Sequence, residues 1–504
     1  MVSIWKSVLV ASSVLAATAS AIDDGSCTWS LWALGCTPKA LCSYQFKFGD
    51  LTPGQSCRVR EGAKKLPQQM HLAYAGATAG SAMTVSWATL DKVSDSTIWI
   101  GTSANSLTKR ADVKIATESY YSEGDYSLYQ YHASVTDLKP NTKYYYQVGS
   151  SGSSSQRSEV TSFTTARAAG DKSEFDMIVL GDLGFGDNGA ATRDYVNQLA
   201  NAASMVYHLG DISYADDDFL VPSQALGFYY EEVYNQWMNE MTPLMQQVPY
   251  MVLPGNHEAE CHSPACLLST FKKDHLGNYT AFNSRFKMPS AESKGVKSMW
   301  YSFDYASVHF TSLSSETDYP DAPSNSYTLT HKNGGFGNQV AWLEEDLKKA
   351  AANRANVPWI VVTMHRPIYH LEQVDANGAP TDYSKNLQSA FEELFLKYNV
   401  DIVISGHRHR YERQMPIARN AAKTDGVSSD KKTYTNPKAP VYLVTGGAGN
   451  IEANELNNNK ASWHVVQSKD YGIMNVHVGP KSMQWTYINS DSKKVVDQFT
   501  ITKN

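Results

Sequence analysis

The stretch FDMIVLGDLG, residues 175–184, decides the fold of the larger part of the chain. It is a mostly apolar run that ends in Gly181 and Asp182, and the same pattern follows soon after in MVYHLGDISY, residues 205–214. Strands buried on both faces have this continuous apolar texture, whereas half-exposed strands alternate. The two runs therefore predict a layered α/β domain whose strands end in polar residues.

Three further runs of this kind lead into residues that can bind metal. Residues 250–254 lead to Gly255-Asn256-His257, residues 359–364 lead to His365, and residues 401–405 lead to Gly406-His407-Arg408-His409. Ligands bind at the carboxyl ends of strands in open α/β sheets, and glycines permit sharp turns there, so we expect these side chains to converge. The candidate metal ligands are Asp182, Asp211, Tyr214, Asn256, His365, His407 and His409.

The residue types in this set indicate two metal ions. Carboxylates and a phenolate suit a trivalent iron, whereas imidazoles and an amide oxygen suit a divalent iron, zinc or manganese ion. Taken singly, each motif has a plainer interpretation: Gly-Asp and Gly-Asn-His are common turns, and an isolated His365 could be a hydrogen-bonded core histidine. Their joint occurrence at five strand ends favours a dinuclear site.

The part of the chain before this domain has a different texture. In residues 65–167, short alternating runs such as 83–87, 96–100 and 144–148 are separated by turn residues, a pattern typical of a β-sandwich. Residues 138–144 are similar to the turn and tyrosine corner of fibronectin type III domains. We therefore predict a fibronectin type III-like sandwich, then an α/β domain at 173–417 with layered β-sheets flanked by helices at 338–352 and 384–398. Its C-terminal part is expected at 433–504.

The N-terminus predicts export. Residues 1–21 carry Lys6, an apolar run and the small-residue site Ala19-Ser20-Ala21, which is typical of a signal peptide. A membrane anchor is the alternative, but the run is shorter than the roughly 20 apolar residues that span a bilayer. The expected location is therefore extracellular or in a cell wall, with no membrane span.

Cysteine usage agrees with export. Four of the six cysteines lie in a leader at 22–64, and the others are Cys261 and Cys266. Disulfides are favoured over a zinc site, and Cys261 with Cys266 would close a tight loop. Asn278 begins a glycosylation acceptor sequence. The net charge of −6 and the lack of a basic stripe argue against nucleic-acid binding.

Five blocks carry a resemblance to a known family. They are Gly181-Asp182-Leu183-Gly184, Gly210-Asp211-Ile212-Ser213-Tyr214, Gly255-Asn256-His257-Glu258, Val361-Val362-Thr363-Met364-His365 and Gly406-His407-Arg408-His409. They resemble the metal-ligand blocks of purple acid phosphatases, in the calcineurin-like metallophosphoesterase superfamily. The sandwich in front makes the chain similar to the larger plant and fungal members.

The resemblance implies a role for each candidate residue. Asp182, Tyr214 and His409 would bind Fe(III), Asn256, His365 and His407 would hold the divalent ion (Zn, Fe or Mn), Asp211 would bridge, and His257 would lie next to the substrate phosphate. The chain departs from plant members, which carry two adjacent histidines where this sequence has Val374-Asp375. His370 is the nearest substitute as leaving-group acid, or else a supporting or surface histidine.

The expected function is that of a secreted acid phosphatase. Its substrates would be small phosphate monoesters, attacked by a metal-bound hydroxide at a dinuclear Fe(III)–M(II) centre. A phosphodiesterase of the same superfamily and a non-catalytic secreted binding protein are the alternatives. The natural substrate and the oligomeric state, with a homodimer as one candidate, stay open.

Overall fold

The computed structural model describes residues 27–30, 35–38, 63–124, 126–221, 227–323 and 333–504. The expected signal peptide and most of the leader at 22–64 lie outside these residues, apart from a backbone hairpin of β1 (Cys27–Ser30) and β2 (Gly35–Pro38). Within the described residues, no helix has the length and apolar character needed to span a membrane.

Two four-stranded antiparallel sheets form the predicted sandwich. Its strands are β3 (Gln68–Ala75), β4 (Ala82–Thr89), β5 (Ser96–Ser103), β6 (Ser106–Lys109), β7 (Ile115–Glu118), β8 (Ser122–Glu123), β9 (Tyr126–Ser127), β10 (Tyr129–Val135), β11 (Lys143–Ser150) and β12 (Thr161–Thr164). The sheet orders are β3-β4-β10-β7 and β12-β11-β5-β6, and β8 pairs with β9. Tyr144 Oη accepts a hydrogen bond from the Lys139 amide at 3.1 Å, as in a tyrosine corner.

The α/β domain contains the remaining strands. They are β13 (Phe175–Leu180), β14 (Leu183–Gly184), β15 (Met205–His208), β16 (Ile212–Ser213), β17 (Tyr250–Val252), β18 (Tyr301–Tyr305), β19 (Val308–Ser312), β20 (Trp359–Met364), β21 (Ile402–Ser405), β22 (Tyr411–Ala418), β23 (Ala421–Ala422), β24 (Thr433–Thr435), β25 (Val441–Thr445), β26 (His464–Ser468), β27 (Gly472–Val478), β28 (Ser482–Asn489) and β29 (Val495–Thr502). The five predicted apolar runs are all strands, and each ends at or within two residues of its expected position.

These strands form two large sheets. One has the order β17-β15-β13-β27-β28-β29-β24, and the other has the order β18-β19-β20-β21-β25-β22-β23 with β26 on β22. The ligand-bearing strands therefore come from both sheets: β13, β15 and β17 are parallel neighbours in the first, and β20 and β21 in the second. The antiparallel strand β27 occupies the free edge of β13, so β20 and β21 cannot join the first sheet there.

Helices cover the sheets and form the connections. They are α1 (Asp187–Gln198), α2 (Tyr230–Met245), α3 (Pro264–Leu267), α4 (Thr270–Leu276), α5 (Thr280–Arg285), α6 (Ser290–Ser293), α7 (Gln339–Ala352), α8 (Asp382–Leu387) and α9 (Glu393–Lys397). A π-helical turn, Gln388–Glu392, joins α8 to α9, so the helix predicted at 384–398 is interrupted. The helix predicted at 338–352 is α7, which begins after Asn338 because the Asn338 side chain accepts from the Ala341 amide.

Cys261 and Cys266 form the predicted disulfide, with their Cα atoms 5.9 Å apart. The side chains of the leader cysteines lie outside the described residues. Asn278 is half-buried, and its side chain exchanges two hydrogen bonds with the backbone of Gly334. Its use as a glycosylation acceptor stays a prediction.

A buried arginine joins the sandwich to the α/β domain. Arg285, at the end of α5, donates to Tyr120 Oη at 2.9 Å and to Gln69 Oε1 at 3.0 Å on the sandwich side. On the other side it bonds Glu231 Oε2 at 3.0 Å and Asn235 Oδ1 at 2.9 Å, both on α2. A buried charge is costly unless it is paired and hydrogen-bonded, so the contacts of Arg285 hold α2 in position beside the sandwich.

We expect Arg285→Ala to lower the free energy of unfolding by about 3–5 kcal/mol, since it leaves Glu231 buried without its cation. Urea unfolding of the purified protein measures this. Arg419→Ala is the control, because Arg419 forms an exposed pair with Glu393 and its loss should change the free energy of unfolding far less. Equal losses in the two variants would contradict a role for the buried pair.

Candidate metal centre

The structure brings all seven predicted ligands together, and the first group surrounds Tyr214. Tyr214 Oη lies 3.2 Å from Asp182 Oδ1 and 3.1 Å from His409 Nε2. It also lies 3.4 Å from Asp211 Oδ2. Tyr214 is buried although its backbone belongs to the loop after β16. Two carboxylates, a phenol oxygen and an imidazole nitrogen thus converge on one point.

The second group surrounds His365, at the end of β20. His365 Nε2 lies 3.2 Å from Asn256 Oδ1 and 3.0 Å from Asp211 Oδ2. Donor atoms of Asp211, His365 and His407 lie within 4.8 Å of one another. His365 Nδ1 bonds the carbonyl oxygen of Leu209 at 2.7 Å, which leaves Nε2 directed at the group.

Asp211 belongs to both groups through the same oxygen, Oδ2. Neighbouring ligands of an ion with bonds of about 2.0–2.2 Å lie about 3 Å apart when the bonds are at right angles. The separations in both groups are close to that value. Oxygen and nitrogen donors of these types suit iron, zinc and manganese. The residues therefore fit a pair of metal ions that share Asp211.

Four of the ligand positions have a left-handed backbone. The φ angles are 62° at Asp182, 53° at Asp211, 54° at Tyr214 and 67° at His407. Such conformations cost on the order of 1–3 kcal/mol each and occur where the surroundings impose them, often at functional sites. They turn the chain sharply at the strand ends, which directs the side chains into a common space.

Glu258 holds two of the strand-end turns together. Its carboxylate accepts from the amides of Asp211 and Gly255, both at 2.8 Å, and from the amide of Ile212 at 2.7 Å. Gly255 is required there, because a Cβ at that position would lie 2.1 Å from Asp211 Oδ1. No role for Glu258 was predicted from the sequence, since Asp211 and Ile212 lie more than 40 residues away in the chain.

Burial opposes the ionisation of two members of the first group. Burial raises the pKa of Asp182, and burial together with the charges of Asp182 and Asp211 raises the pKa of Tyr214 well above its ordinary value. Burial would also raise the pKa of Asp211, but the His365 and His257 charges outweigh it and lower that pKa. A cation among these groups would favour the ionised phenol.

His257 lies beside the two groups rather than inside them. Its Nδ1 bonds Asp216 Oδ2 at 2.8 Å, and its Nε2 lies 3.9 Å from Asp211 Oδ2. Burial would lower the pKa of His257, but Asp216, Asp211 and Asp217 outweigh it and raise that pKa well above the ordinary value. No role for Asp216 was predicted from the sequence, although the acidic run Asp216-Asp217-Asp218, one residue beyond Tyr214, was a visible signal.

Arg366 supports His407 from the other side. Its Nη1 lies 2.9 Å from His407 Nε2, and its Nε pairs with Glu316 at 2.7 Å. Burial and the Arg366 charge lower the pKa of His407 well below its ordinary value. A metal binds neutral imidazole, so this environment favours the form that can act as a ligand.

His370 is placed differently from the other predicted residues. It is buried, and its Nε2 bonds Ser384 Oγ at 3.1 Å. Burial and the charges of Arg408 and Arg410 lower its pKa well below the ordinary value. A buried neutral imidazole is a poor proton donor. Its assignment as leaving-group acid stays a prediction that this environment does not favour.

We expect Glu258→Gln to destabilise the ligand-bearing turns and to lower the metal affinity of the site. The amide can accept at one atom only, so at least one buried backbone N–H loses its partner, at a cost of about 1–3 kcal/mol in the free energy of unfolding. Metal affinity should fall by roughly 10–100-fold, the usual effect of losing a group that orients ligands. Urea unfolding and metal competition measure the two effects.

The matched control is Glu292→Gln, because Glu292 accepts one exposed amide, that of Gly76, at 3.1 Å. We expect a change within about 0.5 kcal/mol there. If both variants behave like the starting protein, Glu258 does not organise the ligand loops.

Three family models match successive parts of the chain. They are "Purple acid Phosphatase, N-terminal domain" at residues 67–165, "Calcineurin-like phosphoesterase" at 176–411, and "Iron/zinc purple acid phosphatase-like protein C" at 439–498. The first two matches cover the sandwich and both groups of ligands.

Whole-chain relatives agree with these matches. Acid phosphatase A of Cryphonectria parasitica is 30% identical over 491 residues, covering 87% of this chain and 92% of that protein. Purple acid phosphatase 23 of Arabidopsis thaliana is 30% identical over 427 residues, covering 78% and 82%. The solved structure of purple acid phosphatase PPD1 from yellow lupin has the same fold, with a TM-score of 0.67 at 21% identity, covering 87% and 75%. The chain belongs to the purple acid phosphatase family of calcineurin-like metallophosphoesterases.

Proposed function

We propose that the protein hydrolyses phosphate monoesters at a centre of one Fe(III) and one divalent ion, Zn, Fe or Mn. The observation that carries the proposal is the position of Asp211 Oδ2, which lies 3.4 Å from Tyr214 Oη and 3.0 Å from His365 Nε2. One carboxylate oxygen within reach of two donor groups is what a shared ligand requires. The relatives named as acid phosphatases support the reaction type.

The two donor groups suggest which ion each would hold. Asp182, Tyr214 and His409 would bind the trivalent iron, because a phenolate next to carboxylates prefers the harder and more highly charged ion. Asn256, His365 and His407 would bind the divalent ion through one amide oxygen and two imidazoles. The neutral form of His407, favoured beside Arg366, agrees with this role.

Bound metal ions would neutralise the phosphate oxygens and make hydroxide available as the nucleophile at acidic pH. The chain itself supplies orientation and a proton. His257 holds its Nδ1 on Asp216, so its Nε2 is directed toward Asp211 and the site. With Nδ1 on Asp216, the imidazole can carry a proton on Nε2, and a charged imidazole there can bind a phosphate oxygen or donate its proton to the leaving alkoxide.

Export is part of the proposal. The signal-peptide pattern at residues 1–21 and the disulfide between Cys261 and Cys266 support a location outside the reducing cytosol, either extracellular or in a cell wall. The protein would then act on small phosphate esters outside the cell.

The first test is a kinetic comparison on protein with measured metal content. We expect hydrolysis of 4-nitrophenyl phosphate to exceed that of bis(4-nitrophenyl) phosphate in kcat/KM. Asp211→Asn should lower the rate by roughly 10²-fold or more, because loss of a group that only orients a metal ligand already lowers activity by about 10–100-fold. The exposed Asp491→Asn serves as the control. A preference for the diester would instead favour a phosphodiesterase of the same superfamily.

A second test uses colour. A phenolate bound to Fe(III) donates charge to the metal and absorbs visible light, so the oxidised, iron-loaded protein should be purple or pink. Tyr214→Phe should lose the band while keeping its fold, and Tyr195→Phe, on α1, should keep it. An iron-containing starting protein without a visible band would contradict the role of Tyr214.

A further inference from the structure

A short covalently closed loop lies next to the candidate centre. The disulfide between Cys261 and Cys266 closes it, and both half-cystines are buried. Inside the loop, Ser263 Oγ accepts from the Cys266 amide at 3.3 Å and begins α3. His262 follows Cys261 directly, so its backbone is held by the disulfide on one side and by a buried, hydrogen-bonded serine on the other.

The loop places His262 within hydrogen-bond distance of Asp216, the carboxylate that also bonds His257. His262 Nδ1 and His257 Nδ1 each lie 2.8 Å from Asp216 Oδ2. Asp216 is fully buried, and its other oxygen, Oδ1, has no hydrogen-bond partner among the described residues. The orientation of this carboxylate therefore depends on the two imidazoles that share one oxygen.

His262 lies between two carboxylates, those of Asp216 and Glu260. Its Nε2 lies 3.7 Å from Glu260 Oε1, so its two ring nitrogens face two buried carboxylates. Burial would lower the pKa of His262, but Asp216, Asp217 and Glu260 raise it. A cationic ring between these carboxylates offsets their mutual repulsion, and both of its nitrogens are engaged with protein groups.

The orientation of His257 matters because its ring is close to two ligands. The ring centroids of His257 and Tyr214 are 4.3 Å apart, and His257 Nε2 lies 3.9 Å from Asp211 Oδ2. With Nδ1 fixed on Asp216, the ring has one position for Nε2. If Asp216 could rotate, Nε2 would move relative to the phosphate, and a displacement of about 1 Å can lower a rate by roughly 10²-fold.

We propose that His262 is a positioning residue that fixes Asp216 and, through it, the His257 ring, and that the Cys261–Cys266 disulfide holds His262 in place for this purpose. The proposal rests on the proposed function, in which His257 donates a proton to the leaving group. Loss of His262 then affects the step in which that proton is needed more than it affects substrate binding or metal content.

The test compares two phosphate monoesters. 4-Nitrophenolate leaves without a proton, whereas the alkoxide from glycerol 2-phosphate needs one. For His262→Ala we expect kcat on glycerol 2-phosphate to fall by about 10–100-fold and kcat on 4-nitrophenyl phosphate to fall by less than about threefold. Metal content should stay unchanged, and KM should change by a smaller factor than kcat on glycerol 2-phosphate. A crystal structure of the variant should show the His257 ring in a different orientation.

Three further variants make the test specific. His262→Asn should recover most of the lost rate, because the Asn amide can take the place of ring Nδ1 and donate to Asp216. The double variant Cys261→Ser with Cys266→Ser should show the same substrate dependence as His262→Ala. His275→Ala is the matched control: this histidine lies on α4 with its Nδ1 on the Phe271 carbonyl, and its loss should change neither rate.

The outcomes separate the two proposals. If the metal-loaded starting protein hydrolyses both esters but His262→Ala loses both rates equally, or loses neither, the positioning role is wrong. If His262→Ala loses metal or unfolds at a lower temperature with both rates reduced alike, His262 is a structural residue. If the metal-loaded starting protein hydrolyses neither ester, the proposed function itself is overturned, and the positioning role with it.

Discussion

Burial of negative charge at one point is the constraint on which the structure depends. Tyr214 Oη lies 3.2 Å from Asp182 Oδ1 and 3.4 Å from Asp211 Oδ2 in a buried space. Ionising all three groups there would bring like charges together in a medium of low polarity, which is costly unless cations lie between them. The two donor groups, the shared oxygen of Asp211 and the imidazoles around them are the means by which the chain provides places for those cations.

Hydrogen bonds from neighbouring side chains hold this unfavourable arrangement in place. Some of these side chains bond the backbone of the ligand-bearing turns, and others bond side chains of the site. Glu258 ties the turns after two strands together, and Asp216 orients His257. The sandwich contributes through α2: Arg285 fixes this helix, and Trp237 on it donates to the carbonyl of Leu183, next to Asp182, at 2.8 Å. A rigid support of this kind keeps a site organised before the substrate binds.

The sequence was informative where the signal is local. Apolar runs followed by polar residues predicted five strand ends and all seven converging side chains, and an export pattern predicted the disulfide of Cys261 with Cys266. Layered sheets were predicted, but not which strands join which sheet, because pairing of β27 with β13 is a long-range event. The roles of Asp216, Glu258 and His262 were missed for the same reason, because each has a hydrogen-bond partner more than 40 residues away in the chain.

The central claim is that two metal ions share Asp211. A crystal structure of the metal-loaded protein, with anomalous scattering measured at the iron edge and at the edge of the divalent ion, tests it most directly. We predict two anomalous peaks roughly 3.5–4 Å apart, one on each side of the Asp211 carboxylate. One peak should lie against Tyr214 and the other against His365. A single peak, or two peaks of which neither contacts Asp211, would contradict the account.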